Sequence, residues 1–252
     1  MISVASSREV GQLRACCRLA AELRDELMSR IAPGVRTGDL DRFAEEWLVA
    51  HEARSWFKGY RGYPATICIS VNEEVVHGIP GARLLHEGDL VSVDVGVVFR
   101  GFHSDTAASA GVGTLDAAGG RLLDVTRRAL AAGIAAARAG SRVGDISWAV
   151  LSLVEGEGFS VVREFVGHGI GRGSHEEPQV PNYGAPGQGS RLVEGQALAI
   201  EPMVNEGGAA VRVREDGWTA VATDGRRSAH FEHTVLVTGG EPDVLTRRAG
   251  EA

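Results

Sequence analysis

The stretch VGHGIGRGSHEEP, from Val166 to Pro178, places two histidines in a run that contains four glycines. Such a segment can bury little apolar surface, and glycine loses more conformational entropy on folding than any other residue. A bound ion or substrate would compensate for that cost, because glycine lets the backbone approach a ligand closely. The run FSVVREFVG that leads into the stretch predicts a strand ending at His168. The stretch therefore indicates a ligand site, with His168 and His175 as its first candidates.

Upstream, two apolar runs flank the dipeptide Arg100-Gly101 and predict a β-hairpin, from Leu90 to Phe99 and from Phe102 to Ala110. A two-residue turn there would place Asp94 and Asp105 on one face of the sheet as diagonal neighbours. Carboxylates in that arrangement repel each other, and the pKa of one rises unless a cation lies between them. The alternative is an edge strand whose two carboxylates both face water.

Two glutamates downstream pose the same problem, because Glu201 and Glu232 each lie in an apolar run that predicts one continuous strand, QALAIEPMV and SAHFEHTVLV. A buried carboxylate without a partner is costly. Few lysines or arginines lie near these acidic positions in the sequence, so shared metal binding explains the set more simply than separate salt bridges. Four carboxylates with the imidazole of His168 exceed a closed zinc site and suit two divalent ions that share bridging ligands.

The chain also contains an internal repeat, in which a pattern of glycine, arginine, aspartate and an aliphatic residue recurs at a constant offset of 106. Its two copies are Gly34, Arg36, Gly38, Asp39, Leu40 and Gly140, Arg142, Gly144, Asp145, Ile146. The repeat predicts a single domain over residues 1–252 with two pseudosymmetric halves, about 6–112 and 113–245. Chance similarity of a cap-and-turn motif is the alternative.

Local signals predict the elements within each half. A capping box at Ser6–Glu9 begins a first helix, and Thr37 or Asp39 is predicted to cap a second. The runs ATICISV and VVHGIP on either side of Asn72 predict a hairpin, and another is predicted around Asp216-Gly217. The repeated unit is thus predicted to consist of two helices followed by strands.

The composition excludes several classes of protein. A formal net charge of -7 argues against non-specific binding to nucleic acid or to an anionic membrane as the main role. The three cysteines, Cys16, Cys17 and Cys68, form neither a disulfide framework nor a C-x-x-C metal knuckle. The first residues lack the apolar core of a signal peptide, and no apolar run is long enough to span a membrane, so we expect a cytoplasmic protein.

Six motifs in order, VVHGIP, SVDVG, GFHSDTA, GHGIGRGSHEEP, IEPM and FEHT, resemble those of the type I methionine aminopeptidases, and the similarity runs from about Ser6 to Leu245. The resemblance implies the pita-bread α+β fold, with a mostly antiparallel curved sheet and helices on its outer face. It implies removal of the initiator methionine from nascent proteins with a small second residue. It also implies two divalent ions per chain, and an oxygen-rich site with one imidazole accepts Co, Mn, Fe or Zn.

The resemblance implies a role for each ligand. Asp94 would bind one metal, Asp105 and Glu232 would bridge the two, and His168 and Glu201 would bind the other. Glu201 would also act as general base and acid in the hydrolysis of the first peptide bond.

Other residues take substrate-binding roles from the same resemblance. His175 would donate to the carbonyl oxygen as it gains negative charge, and His77 would contact the substrate near the scissile nitrogen. Aromatic and sulfur-containing walls suit a thioether, and the residues implied for the methionine pocket are Tyr60, Tyr63, Cys68 and Trp218. Ordinary core packing is the alternative for these four.

The chain departs from the family pattern at two positions. Ser174 stands where bacterial relatives often carry a large aromatic residue, and Arg61 replaces a frequent histidine. Three further histidines, His103, His230 and His233, flank the proposed ligands as supporting or merely solvated groups.

Two other functions remain open at this point. An X-Pro aminopeptidase or prolidase has the same fold and ligand set but usually carries an extra N-terminal domain. A non-catalytic peptide-binding domain of this fold typically loses ligands, whereas all five are present here. The expected partners are a peptide or nascent chain with N-terminal methionine and, as a candidate, the ribosome; a monomer is expected.

Overall fold

The structure is a computed structural model, and it describes residues 6–248. Within this range the chain forms four α-helices, which are α1 (Ser7–Met28), α2 (Thr37–Ala50), α3 (Ala117–Ala136) and α4 (Val143–Gly156). The strands of the first half are β1 (Arg54–Ser55), β2 (Cys68–Val71), β3 (Glu74–Val76), β4 (Leu90–Phe99) and β5 (Phe102–Gly111). The later strands are β6 (Ser160–Val161), β7 (Gly167–Gly169), β8 (Glu176–Val180), β9 (Ala197–Ile200), β10 (Met203–Asn205), β11 (Val211–Val213), β12 (Ala220–Ala222), β13 (Ser228–His230), β14 (His233–Leu236) and β15 (Asp243–Val244).

All the strand pairings in this range are antiparallel, and they form four sheets. In the first sheet β4 pairs with β5 along one edge and with β1 and β2 along the other. The largest sheet has the strand order β15-β14-β9-β7-β8. Two three-stranded sheets, β13-β10-β6 and β11-β12-β3, complete the set. The expected α+β architecture with mostly antiparallel sheets is confirmed.

The core lies between the helices and these sheets. Helix α1 packs on β4 and β5, and α3 packs on α4. Because side chains alternate along β4, the helix-facing side completely buries Val91, Val93, Val95 and Val97. Burial of each side chain stabilises the fold by about 1.5–3 kcal/mol. The middle of the opposite side of β4 carries Ser92, Asp94 and Gly96. No helix among the described residues is both long and apolar enough to cross a membrane.

The repeated sequence pattern makes equivalent contacts in the two halves. Gly34 and Gly140 both have positive φ, which favours glycine. In the first copy, the N–H groups of Gly34 and Gly38 donate to the carbonyls of Leu85 (2.8 Å) and Gly81 (2.9 Å). In the second copy, the N–H groups of Gly140 and Gly144 donate to the carbonyls of Leu192 (2.9 Å) and Gln188 (3.0 Å). The boundary between the halves near residue 112 stays a prediction.

The hairpin at Arg100-Gly101 has the predicted register, in which Asp94 faces Ala107 and Asp105 faces Gly96. Both turn residues have positive φ, as the tightest hairpin turns require. The hairpin around Asp216-Gly217 also forms, as β11 and β12.

The expected hairpin around Asn72 is wrong, because β2 pairs with β4 while β3 pairs with β12 in another sheet. The side chain of Glu74 accepts a hydrogen bond from the backbone N–H of Val71, which turns the chain between the two sheets.

The cap of α1 is confirmed, since the Ser6 hydroxyl accepts a hydrogen bond from the N–H of Glu9. The cap of α2 is Arg36 instead of Thr37 or Asp39. Thr37 is unavailable because its hydroxyl accepts a hydrogen bond from the N–H of Gly81 at 2.9 Å.

Candidate metal centre and active-site cavity

One cavity of about 480 Å³ lies between residues of the two halves, and it contains every residue that the sequence predicts for the site. Its wall includes the five proposed metal ligands, the two histidines predicted to contact the substrate and the four residues of the proposed methionine pocket. Segments far apart in the sequence therefore meet at one place.

The first half contributes two carboxylates from its central hairpin. Asp105 is only 5% exposed, and β4, which carries Asp94, is paired on both edges. The alternative of an edge strand with both carboxylates in water is therefore wrong. One carboxylate oxygen of each residue is buried without a hydrogen-bond partner among the described residues.

The second half contributes two glutamates from breaks between strands. The predicted continuous strands are wrong here, because β9 ends at Ile200 and β10 begins in another sheet at Met203. Pro202, which lacks a backbone N–H, fills the break together with Glu201. Glu232 likewise lies between β13 and β14, so both carboxylates project where two sheets diverge.

Backbone bonds join Glu232 directly to the first half. Its N–H donates to the carbonyl of Ala107 at 2.9 Å, and its own carbonyl accepts from Ala107 N–H at 3.3 Å. That carbonyl also accepts a hydrogen bond from the Thr106 hydroxyl at 2.9 Å, and the fully buried Arg24 donates to the same hydroxyl. The hydroxyl of Thr234 likewise holds Asp105, because it accepts a hydrogen bond from the Asp105 N–H and donates one to the Asp105 carbonyl.

The predicted strand ending at His168 is wrong, because His168 is the central residue of the short strand β7. Its Nδ1 lies 2.9 Å from the carbonyl of Gly169 and donates to it, which leaves the lone pair of Nε2 directed into the cavity. Nε2 lies 3.6 Å from Oε1 of Glu201. Burial, and then the nearby His175, lower the pKa of His168 to about 4, so this imidazole is neutral and able to bind a metal.

The electrostatics of the carboxylates fit a cation. Burial raises the pKa of Asp94 to about 7 and raises that of Asp105 well above its usual range. Burial and the other carboxylates also raise the pKa of Glu201 and of Glu232. Ligand atoms of Asp105, His168 and Glu232 all lie within 4.8 Å of one another, a spacing that could hold a metal ion. Unpaired buried oxygens and mutual repulsion are what bound divalent ions would relieve.

Two histidines lie beside this cluster. The ring of His175 stacks on Tyr60 at 5.5 Å between centroids and meets the edge of Trp56 at 5.1 Å. Burial, and then the positive charge of Arg61, lower the pKa of His175. His77 is in the left-handed region at φ 60, a conformation uncommon outside glycine that often marks functional sites. Burial lowers the pKa of His77 to about 4.

The predicted methionine pocket forms the apolar part of the same wall. Tyr63, Cys68 and Trp218 pack together, and the hydroxyl of Tyr63 donates to the backbone, at 3.0 Å from the carbonyl of Gly78. Sequence reasoning did not find Trp56, Phe57 and Phe165, which also line the cavity, and it placed His230 only as a supporting or solvated neighbour of the ligands. The glycine at position 96 is the one sequence feature related to the position of Trp56, because a larger side chain there would collide with the indole ring.

Of the two residues that depart from the family pattern, one lines the cavity and the other does not. Arg61 lines the cavity, whereas Ser174 is absent from its lining and lies with its hydroxyl 3.3 Å from Nδ1 of His175. His233 is bound to the Thr246 hydroxyl at 2.8 Å outside the cavity, and His103 also lies outside it. His230 is thus the histidine of this group that enters the site.

Metallopeptidase family M24 matches residues 11–239 of the chain. Methionine aminopeptidase 1 of Bacillus subtilis is 47% identical over 247 residues, which are 98% of this chain and 100% of that protein. The crystal structure of methionine aminopeptidase from Thermotoga maritima has a TM-score of 0.96 and 44% identity, and the match covers 98% of this chain and 100% of that one. The prolidase from Pyrococcus furiosus has a TM-score of 0.79 at 18% identity, covers 98% of this chain and 66% of its own, and shares the fold alone.

These similarities confirm the pita-bread fold and the resemblance found in the sequence, and the chain belongs to metallopeptidase family M24.

Proposed function

We propose that this protein removes the initiator methionine from nascent chains whose second residue is small, by metal-dependent hydrolysis of the first peptide bond. The observation that carries the proposal is the cluster formed by the buried Asp105, Glu232 and His168 with the partly buried Asp94 and Glu201, at the wall of a cavity with an aromatic and sulfur lining. Relatives of nearly the same length, 43–47% identical, are named methionine aminopeptidase, which supports the same activity here.

The proposed metal site uses ligands from both halves of a single catalytic domain over residues 1–252. Asp94 would hold one divalent ion, His168 and Glu201 would hold a second, and Asp105 and Glu232 would serve both. When bound, the ions lower the pKa of a water molecule and so supply the nucleophile. The donor set suits Mn, Fe, Co or Zn, and availability decides among them.

The protein's own groups orient the substrate and move protons. Glu201 accepts a proton from the attacking water and returns it to the leaving amine. His175 donates to the carbonyl oxygen as it gains negative charge, with its ring held between Tyr60 and Trp56. The neutral His77 contacts the substrate near the scissile nitrogen, opposite Phe165.

The side chain of the first residue enters the pocket formed by Tyr60, Tyr63, Cys68 and Trp218. A thioether gains from contact with aromatic edges and with sulfur, so methionine is favoured over polar residues of similar length. The neighbouring Arg61 would add a positive charge at the cavity wall.

Cleavage of tripeptides distinguishes this activity from its rivals. With Mn or Co added, the protein should cleave Met-Ala-Ser and leave Ala-Pro-Ser intact. Glu201→Ala and His175→Ala should each lose most of the cleavage activity. His86→Ala, at an exposed position, is the control and should retain the activity. Cleavage of the proline peptide alone would favour an X-Pro aminopeptidase, and metal-dependent cleavage of neither would favour a binding domain.

The setting we propose for this activity is the cytoplasm, where nascent chains emerge from the ribosome. The protein acts there as a monomer, with the ribosome as a candidate partner. Co-sedimentation with ribosomes and light scattering of the purified chain test these two points.

A further inference from the structure

His230 has an unusual environment in the cavity wall. It is the last residue of β13, is 2% exposed, and pairs with Met203 of β10. The hydroxyl of Ser109 fixes its backbone from both sides, with bonds of 2.9 Å from the His230 N–H and 2.7 Å to its carbonyl. Its Nε2, in contrast, is buried without a hydrogen-bond partner among the described residues. A rigid backbone thus directs a polar nitrogen without a partner at the site.

The carboxylate of Glu201 lies between two imidazoles. Oε1 is 3.6 Å from Nε2 of His168, and Oε2 is 3.9 Å from Nε2 of His230. Since His168 is a proposed metal ligand, Oε1 is on the side of the ions. Oε2 is then the oxygen available to carry a proton, and His230 lies beside it.

We propose that His230 is a positioning residue for Glu201, whose Oε2 accepts a hydrogen bond from Nε2–H of His230. A side-chain shift of about 1 Å shortens the present separation to hydrogen-bond length. The bond fixes the orientation of the carboxylate, so that Oε2 faces the water and the leaving amine. This inference rests on the proposed function, in which Glu201 transfers the proton.

The test compares two substitutions of similar size. His230→Gln places an amide N–H close to the position of Nε2, whereas His230→Leu removes every donor. With Met-Ala-Ser as substrate, kcat of the leucine variant should fall roughly 10- to 100-fold because a misplaced catalytic group loses about that factor. Its KM should change less than about threefold on the same reasoning, and the glutamine variant should recover most of kcat. Mn affinity, measured by calorimetry, should fall by no more than about 10- to 100-fold in the leucine variant, because Glu201 is itself a proposed metal ligand, and should stay near the wild-type value in the glutamine variant.

A spectroscopic measurement tests the contact without turnover. In metal-free protein labelled with ¹⁵N-histidine, the Nε2 signal of His230 is identified by its loss in His230→Gln. That signal should shift when Glu201→Gln is introduced, and it should not shift in the control Glu155→Gln on the exposed face of α4. An inactive wild-type protein would refute the proposed function, while the NMR result would still decide whether His230 contacts Glu201.

Four results would overturn the inference. One is a leucine variant that keeps wild-type kcat. Another is loss of Mn binding in both the leucine and the glutamine variant, which would make His230 a metal ligand. The third is an equal loss of kcat in the two variants, and the fourth is a change only in the preference for the second residue, since a wall of fixed shape would give either of these results.

Discussion

Replacing Asp94 with asparagine should stabilise the metal-free protein at pH 8 and weaken its response to metal. Burial raises the pKa of Asp94 from 3.8 to about 7. Each pKa unit corresponds to about 1.4 kcal/mol, so the ionised carboxylate costs the metal-free fold about 4 kcal/mol at pH 8. A buried amide with an unmet hydrogen bond costs about 1–2 kcal/mol, which leaves a net gain of about 2–3 kcal/mol.

The expected size of the effect follows from the length of the chain. For domains of 150–250 residues, about 1 kcal/mol moves the melting temperature by about 2–4 °C. Asp94→Asn should therefore melt about 4–12 °C above the wild type after treatment with EDTA. Circular dichroism melts at pH 5 and pH 8 measure this difference.

The pH dependence provides the sharper test. A carboxyl whose pKa is raised by folding stabilises the fold while it is protonated, and that contribution is lost as the pH rises from 3.8 to about 7. The advantage of Asp94→Asn should therefore fall to about zero at pH 5. Added Mn should reverse the order at pH 8, because the wild type binds it more tightly.

The matched control is Asp124→Asn, which removes an exposed carboxylate from α3 and should leave the melting temperature almost unchanged. A metal-free Asp94→Asn protein that melts no higher than the wild type at pH 8 would refute the electrostatic reasoning. So would a difference of the same size at both pH values.

Three further substitutions test the cavity wall and the packing around it. Gly96→Ala should raise KM and destabilise the fold by about 1–3 kcal/mol, since the new methyl group collides with the indole of Trp56; urea unfolding and tripeptide kinetics measure both effects. Thr106→Val removes the hydroxyl bonded to the Glu232 carbonyl and should weaken Mn binding by about 10- to 100-fold in calorimetric titrations, whereas unchanged affinity would show that the backbone bonds suffice. Gly144→Ala should destabilise by at least about 1 kcal/mol in urea, because its methyl group would meet the backbone carbonyl of Ala185, and a neutral result would contradict that contact.

Local chemistry was sufficient to predict the central hairpin and the position of its carboxylates. A two-residue turn leaves one possible register, and alternation along a strand then decides which side chains share a face. The proximity of Asp94 and Asp105 could therefore be predicted without any tertiary contact. The valine face of β4 gave the same orientation independently.

The breaks at Glu201 and Glu232 were not predictable in this way. Both lie in runs that are apolar on either side, and two short strands in different sheets have the same composition as one long strand. The break between β13 and β14 lies where Glu232 pairs with Ala107, and that pairing joins residues 125 positions apart in the sequence. Helix α2 shows the same limit, because Thr37 gives up its capping role for a contact with Gly81.

Trp56 was missed, and His230 was left undecided between a supporting and a solvated group, for a related reason. Neither residue type nor spacing distinguishes a cavity wall from ordinary core, and both positions gain their meaning from partners in distant segments. Trp56 contacts His175 from the other half, and His230, at the end of β13, lies beside Glu201 in the break between β9 and β10. Residues that form a site by long-range contact are the ones that local sequence patterns reveal least.

The distribution of the proposed ligands over both halves affects how the protein is made. While the chain is still being synthesised, the first half holds only two of the five ligands, and Glu232 reaches them only when its segment pairs with β5. A copy that ends before Glu232 therefore lacks at least one of the proposed ligands and would have no complete metal centre. An enzyme whose proposed substrates are nascent chains would thus be inert as a nascent chain itself.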